Sequence, residues 1–231
     1  MASSLPPLSK LALSTGAPDD SPPPLRPKRQ RTLRYEDGSV YQGELVGGTP
    51  QGQGTLTYPD GKIYEGEFDG GVIQGFGELT FEPASKFKSY EGWWRNGAFE
   101  GHGTLVFPNS GVYEGEFIDG KASGRGKRTF GPDEKFEKYE GGWEDGKFHG
   151  LGVLTYRVKR TTRYRERQAI RYEGNFHLGY RQGNGILTFD DGTIYDGGFE
   201  NDLIRGAGSL EQNGIVHRVN TGEDGIMKFL Q

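Results

Sequence analysis

Apolar and polar residues alternate with a period of two along most of the chain. In Tyr64-Glu65-Gly66-Glu67-Phe68 the Tyr, Gly and Phe point one way and the two Glu the other. This is the pattern of an extended strand with one wet face. Gly75-Phe76-Gly77-Glu78-Leu79-Thr80-Phe81 alternates again, with the glycines, Leu and Phe in register. A turn rich in Gly and Asp joins the two runs, and Pro59-Asp60-Gly61 or Asp190-Asp191-Gly192 marks the passage to the next such unit. Turn chemistry of this kind between alternating runs predicts that each unit is one β-hairpin.

The unit occurs seven times. Its Tyr falls at Tyr41, Tyr64, Tyr90, Tyr113, Tyr139, Tyr172 and Tyr195, with a Gly two residues on and an apolar or aromatic residue at four. Two further glycines follow at eleven and thirteen, as in Gly75 and Gly77 or Gly124 and Gly126. Successive Tyr residues are 23, 26, 23, 26, 33 and 23 apart, so a 23-residue unit carries insertions in three copies. All the inserted residues lie between the last aromatic of one unit and the next Tyr, which places them in surface turns along one edge of an array.

Twenty-seven of the 40 glycines sit at four fixed repeat positions. Glycine weakens a strand interior, so these positions need a reason. The expected one is space: a Tyr, Phe or Trp ring from a neighbouring strand lies over the bare backbone. Such contacts would let a chain with 32% hydrophobic residues fold without a two-layer core.

Tyr-Glu-Gly-Glu-Phe followed by Gly-x-Gly-x-Leu-x-Phe, as at Tyr64 to Phe81 and at Tyr113 to Phe130 with Arg128 in place of Leu, resembles the membrane occupation and recognition nexus (MORN) repeat. The resemblance covers residues 41 to about 210. It implies an all-β fold: an elongated, single-layer, twisted antiparallel sheet of tandem hairpins with an aromatic groove along one face. It also implies a scaffold at a membrane, cytoskeletal structure or cilium, in some members attached to a separate catalytic domain.

Flanking segments are short. Residues 1–34 hold seven of the twelve prolines and no aromatic residue, and are expected to be disordered or polyproline-like. Asp19, Asp20 and the early prolines argue against an organelle transit helix, despite the opening Met1-Ala2-Ser3-Ser4. Pro27-Lys28-Arg29-Gln30-Arg31 reads as a solvated basic linker rather than a nuclear signal. Residues 35–210 form the seven-hairpin array, and residues 211–231 are expected to cap it through Ile215, Val219 and Phe229.

Charge adds a second theme. The net charge is −4, yet residues 26–34 and 157–171 hold 12 of the 28 basic residues and one of the 32 acidic ones. Arg157, Lys159, Arg160, Arg163, Arg165, Arg167 and Arg171 are therefore candidates for contact with anionic phospholipid, the alternative being a solvated hairpin extension. The acidic remainder argues against nucleic acid. There is no cysteine, hence no disulfide or thiolate zinc site, and no apolar run long enough to span a bilayer, which points to a cytoplasmic chain.

No catalytic constellation emerges. Gly120 to Arg128 has the wrong spacing for a phosphate loop, and both of its terminal-spacing glycines are repeat positions. His102, His149, His177 and His217 fall at unrelated repeat positions without ligand spacing. The expectation is a non-enzymatic scaffold with no catalytic residues, cofactor or metal. Its partner is a helical or extended protein segment held along an aromatic groove of Tyr64, Phe68, Tyr90, Trp94, Tyr113, Phe117, Tyr139, Trp143, Tyr172 and Phe176. Trp94 and Trp143 are its strongest contact candidates, because Trp is enriched at binding hot spots. The alternative for the same rings is packing over glycine. A peripheral membrane tether working through the basic insert, an accessory subunit of a catalytic chain and a homodimer remain open alternatives.

Overall fold

The computed structural model describes residues 30–158, 167–223 and 225–230, and these contain seventeen strands and no helix. A short edge strand, β1 (Arg31–Arg34), leads into seven hairpins. They are β2 (Val40–Val46) with β3 (Thr49–Thr57), β4 (Ile63–Asp69) with β5 (Val72–Thr80), β6 (Ser89–Arg95) with β7 (Ala98–Val106), and β8 (Val112–Ile118) with β9 (Lys121–Thr129). Then follow β10 (Phe136–Glu144) with β11 (Lys147–Tyr156), β12 (Ala169–His177) with β13 (Tyr180–Phe189), and β14 (Ile194–Glu200) with β15 (Leu203–Gln212). β16 (Ile215–Thr221) and β17 (Met227–Phe229) complete the sheet.

Every strand pairs antiparallel with its sequence neighbours, so the chain forms one open meander. Substantial contact is confined to strands adjacent in sequence, as a single layer requires. The core is consequently a row rather than a ball. Tyr64 packs edge-on against Phe68 of its own hairpin at 5.3 Å and Trp94 of the next at 5.1 Å. Tyr90 contacts Trp94 and Phe117 in the same way, and Tyr113 contacts Phe117 and Trp143. This ladder of edge-to-face rings runs unbroken from Tyr41 to Phe199. Each hairpin is thus stabilised by its neighbours, the nearest-neighbour economy of repeat folds.

The glycines divide into two groups. Gly66 stands opposite Gly77, and a Cβ built on Gly77 would lie 2.4 Å from the Tyr64 hydroxyl oxygen and 2.6 Å from its Cζ. There the ring needs the space, as expected from the sequence. The first glycine of each Gly-x-Gly pair has a different reason. Gly124, with φ +71°, lies where the ladder slips between Gly115 and Phe117, a bulge that left-handed backbone makes possible.

Tyrosine rather than phenylalanine opens every unit because its hydroxyl is used. Tyr113 donates to the carbonyl of Glu116 at 2.9 Å, and Tyr41, Tyr64, Tyr90, Tyr139, Tyr172 and Tyr195 each donate to the carbonyl three residues on. The bond ties the ring to its own strand, at the residue that faces the bulge. Replacing Tyr113 with Phe is expected to cost about 1–2 kcal/mol in urea denaturation, since ring packing survives while a buried polar pair is lost. No loss on this substitution would show that the hydroxyl contributes nothing of its own, and a loss equal to that of Tyr113→Ala would show that the ring contributes nothing beyond it.

The ends of the array differ from expectation. Arg31 to Arg34, placed by sequence in a disordered segment, instead form β1, pairing Arg31 with Gly43 and Arg34 with Val40. A charged edge strand both satisfies the amides and carbonyls of β2 and discourages further pairing. The remainder of that expectation, residues 1–29, lies outside the described residues. At the other end only Val219 of the expected cap is buried. Ile215 and Phe229 are 60% and 61% exposed, because among the described residues nothing packs beyond the last strands.

Candidate protein-binding face

The ten residues expected to line an aromatic groove form the buried ladder itself. Even Trp94 and Trp143 are only 5% and 6% exposed, and their indole N–H groups donate to the carbonyls of Gly77 and Gly126 of the preceding hairpin, both at 3.1 Å. Their size and polar edge serve the sheet. Burial leaves the ten little surface to offer a partner, although Tyr113, Phe117 and Trp143 do line a hollow described below.

The open aromatic surface is a second row, along the edge where the inserted turns lie. It comprises the half-buried Tyr58, Phe81, Phe87, Phe107, Phe136, Tyr156 and Phe189. Phe87 bridges Phe81 and Phe107 at 5.4 and 5.7 Å, and Phe136 sits 5.5 Å from both Phe130 and Tyr156. Tyr58, Phe81, Phe107, Tyr156 and Phe189 are the last aromatics of their units, and Phe87 and Phe136 lie in the inserted turns. Their partial exposure follows from the single layer that the described residues form.

Cations lie on these rings. Lys62 is over Tyr58 at 5.0 Å, Lys86 over Phe87 at 4.9 Å and Arg167 over Phe189 at 5.4 Å. Arg128 is the most enclosed, 4.4 Å from the Phe107 ring and 4.5 Å from Phe130. It occupies the position held by Leu56, Leu79, Leu105, Leu154, Leu187 and Leu210 in the other repeats. Burial lowers its pKa, opposed by Glu134, whose carboxylate is 3.8 Å away. Its Nε is buried without a partner. Arg181 is a second exception to the apolar pattern, stacked over Phe199 at 5.1 Å and held by Asp202 at 3.2 Å.

Two hollows open here. One of about 310 Å³ is lined by Phe87, Phe107, Arg128, Lys86, Lys121 and Trp143. The other, about 650 Å³, is lined by Asp133, Lys135, Tyr156, Arg157, Gln168 and Arg181. Both combine apolar rings with guanidinium groups, a surface suited to side chains that are apolar or acidic.

The basic insert is only partly visible. Arg157 donates to the carbonyls of Phe130, Gly131 and Glu134, Arg167 pairs with Asp191 at 2.9 Å, and Arg171 pairs with Glu173 at 2.7 Å. Lys159, Arg160, Arg163 and Arg165 lie outside the described residues. Among the described residues no group of three or more His, Asp or Glu is placed to hold a metal ion, and no helix is long and apolar enough to cross a membrane.

Comparison with known proteins places the repeat. A family model described as the MORN repeat matches six times, at residues 41–63, 64–83, 90–112, 113–132, 139–158 and 172–194. The seventh hairpin, β14 with β15, continues the geometry beyond the last match. No curated protein matches the chain. Among solved structures, the SAS-4 (dCPAP) TCP domain in complex with a proline-rich motif of Ana2 (dSTIL), from Drosophila melanogaster, is similar at 11% identity, covering 89% of this chain and 99% of that one, with a TM-score of 0.33.

Proposed function

Because the chain belongs to the MORN repeat family, whose repeats point to a scaffold that binds protein, we propose that it is a non-enzymatic adaptor holding an extended protein segment across the second row of rings. The segment runs between the Arg128 hollow and the Arg181 hollow. It presents carboxylates to the two guanidinium groups and apolar side chains to Phe87, Phe107 and Tyr156.

Arg128 is the observation that carries this reading. A guanidinium with an unpartnered Nε in a ring-lined hollow costs the fold desolvation, where six sibling repeats use Leu. A carboxylate from a partner reaches the exposed part of the guanidinium and offsets that cost through a charge-assisted bond. The membrane tether has less behind it, since Arg157, Arg167 and Arg171 already have partners within the fold.

Random peptides displayed on phage and selected against the chain test the proposal. Arg128→Leu restores the sibling residue, so it should melt no lower than the parent protein. Peptides that lose about ten-fold or more in affinity on this substitution should be rich in Asp, Glu and aromatic residues. If no selected peptide discriminates the variant from the parent, the aromatic face is not the binding face.

A further inference from the structure

The face opposite the ring ladder is mostly polar, with exposed apolar residues such as Leu151 and Ile186 standing singly and one exposed aromatic pair. A cross-strand row there reads Thr55, Glu65, Glu78, Glu91 and Thr104 from β3 to β7. Glu65 stands opposite Glu78, and Glu78 opposite Glu91, so three carboxylates lie side by side at the roughly 5 Å spacing of directly paired residues. Farther along the same row Lys127 separates Glu114 from Glu140, and Arg171 neutralises Glu173. Among the described residues no ion pair or hydrogen bond takes up Glu65, Glu78 or Glu91. Like charges directly opposite each other destabilise a sheet.

Beside this row Phe76 and Trp93 face each other across β5 and β6, edge to face with centroids 5.9 Å apart. They are 43% and 53% exposed. Adjacent repeats place Gln53 and His102 where Phe76 stands, and Glu67 and Glu116 where Trp93 stands, while the fifth repeat has the apolar Leu151 at the Phe76 position; no other repeat has a Phe, Tyr or Trp at either. Those glutamates accept hydrogen bonds from bulge amides, Glu67 from Phe76 and Glu116 from Arg125. Trp93 gives up that bond and gains little burial. A groove of about 400 Å³ opens next to the pair, lined by Glu65, Glu67, Phe76, Glu78 and Glu91.

We propose that this groove is a second docking site, for a basic extended polypeptide segment whose Arg or Lys side chains stack on Phe76 and Trp93 and pair with Glu65, Glu78 and Glu91. Charge complementarity selects the occupant. A guanidinium satisfies both the ring faces and the carboxylates, whereas a neutral segment would desolvate three carboxylates without pairing them. The same charges repel nucleic acid and anionic lipid. Because this site and the Arg128 hollow lie on opposite faces of one layer, they bind independently, and a single array can join an acidic segment to a basic one.

Fluorescence anisotropy of the full chain with labelled peptides of alternating Arg and Gly, and with matching Glu and Gly peptides, tests the site. The Arg probe should bind saturably and the Glu probe should not bind this face. Phe76→Gln with Trp93→Glu, which installs the residues of adjacent repeats, should weaken the Arg probe by about ten-fold or more. Glu78→Thr with Glu91→Thr should do the same while raising the melting temperature, because it relieves repulsion in the sheet. Arg128→Leu should leave the Arg probe unaffected. Absence of saturable binding, or binding by either double variant as tight as that of the parent, overturns the proposal. So does binding that appears only after Arg26, Lys28 and Arg29 are replaced by Gln, since the occupant would then be the chain's own basic stretch.

Discussion

Replacing Gly115 with Ala is expected to cost about 3 kcal/mol or more, an unusually large penalty for one methyl group. A Cβ at this position would lie 2.6 Å from the Gly126 Cα, 2.6 Å from the Tyr113 hydroxyl and 2.7 Å from the Arg125 carbonyl oxygen. Two of those neighbours are backbone and cannot rotate away. The strands of the hairpin must separate, and the ring of Tyr113 must leave its place in the ladder. Val at the same site should be worse still. Gly146→Ala provides the contrast: its φ of +76° strains any side chain, yet nothing lies within 4 Å, so the loss should be about 1–2 kcal/mol. Glu114→Gln, on the opposite face, should stay within about 0.5 kcal/mol of the parent. Chemical denaturation of the three variants decides the matter, and equal losses from Gly115→Ala and Glu114→Gln would reverse the assignment of faces.

Alkali should unfold the sheet within a narrow interval above pH 10. Burial raises the phenols of Tyr64, Tyr90, Tyr113 and Tyr139 well above the ordinary 10.0 and pushes Tyr172 up to about 12. Below pH 10 these groups are neutral whether the chain is folded or not, so they make stability independent of pH there. Above it the unfolded chain loses protons that the folded chain retains, and stability falls by about 1.4 kcal/mol per pH unit for each phenol. Five together remove about 7 kcal/mol per unit, comparable to the whole stability of a typical domain. Ionisation also removes the proton that each hydroxyl donates to a backbone carbonyl. Tyrosinate absorbance and the far-ultraviolet β signal should therefore change together as pH is raised. Ionisation of these rings near pH 10 with the sheet intact would show that they are not the buried core.

Hairpins, their order and the site of the insertions were legible because each depends on local information: period-two alternation, turn residues, and a unit repeated often enough to reveal its own template. Which aromatic residues remain available to a partner was not legible. Trp94 and Trp143 have the composition of hot-spot residues, but hydrogen bonds from their indoles to the preceding hairpin and packing between two tyrosines bury them. Arg128 was visible as a departure from Leu, yet its sandwich between Phe107 and Phe130 depends on rings from two different hairpins. Phe76 and Trp93 are 17 positions apart in the chain and meet only because β5 and β6 pair in one particular register.

By itself the sequence determined that this chain is a tandem array of antiparallel hairpins, with glycine at the mid-strand positions under rings. Both conclusions follow from short-range alternation and from repetition. Only the tertiary structure decided which rings are core and which are surface, and where charge gathers. A residue's exposure in a single-layer sheet is set by the strand beside it, and a carboxylate's neighbours are set by cross-strand register. Three glutamates spaced 13 residues apart along the chain thereby become one acidic row.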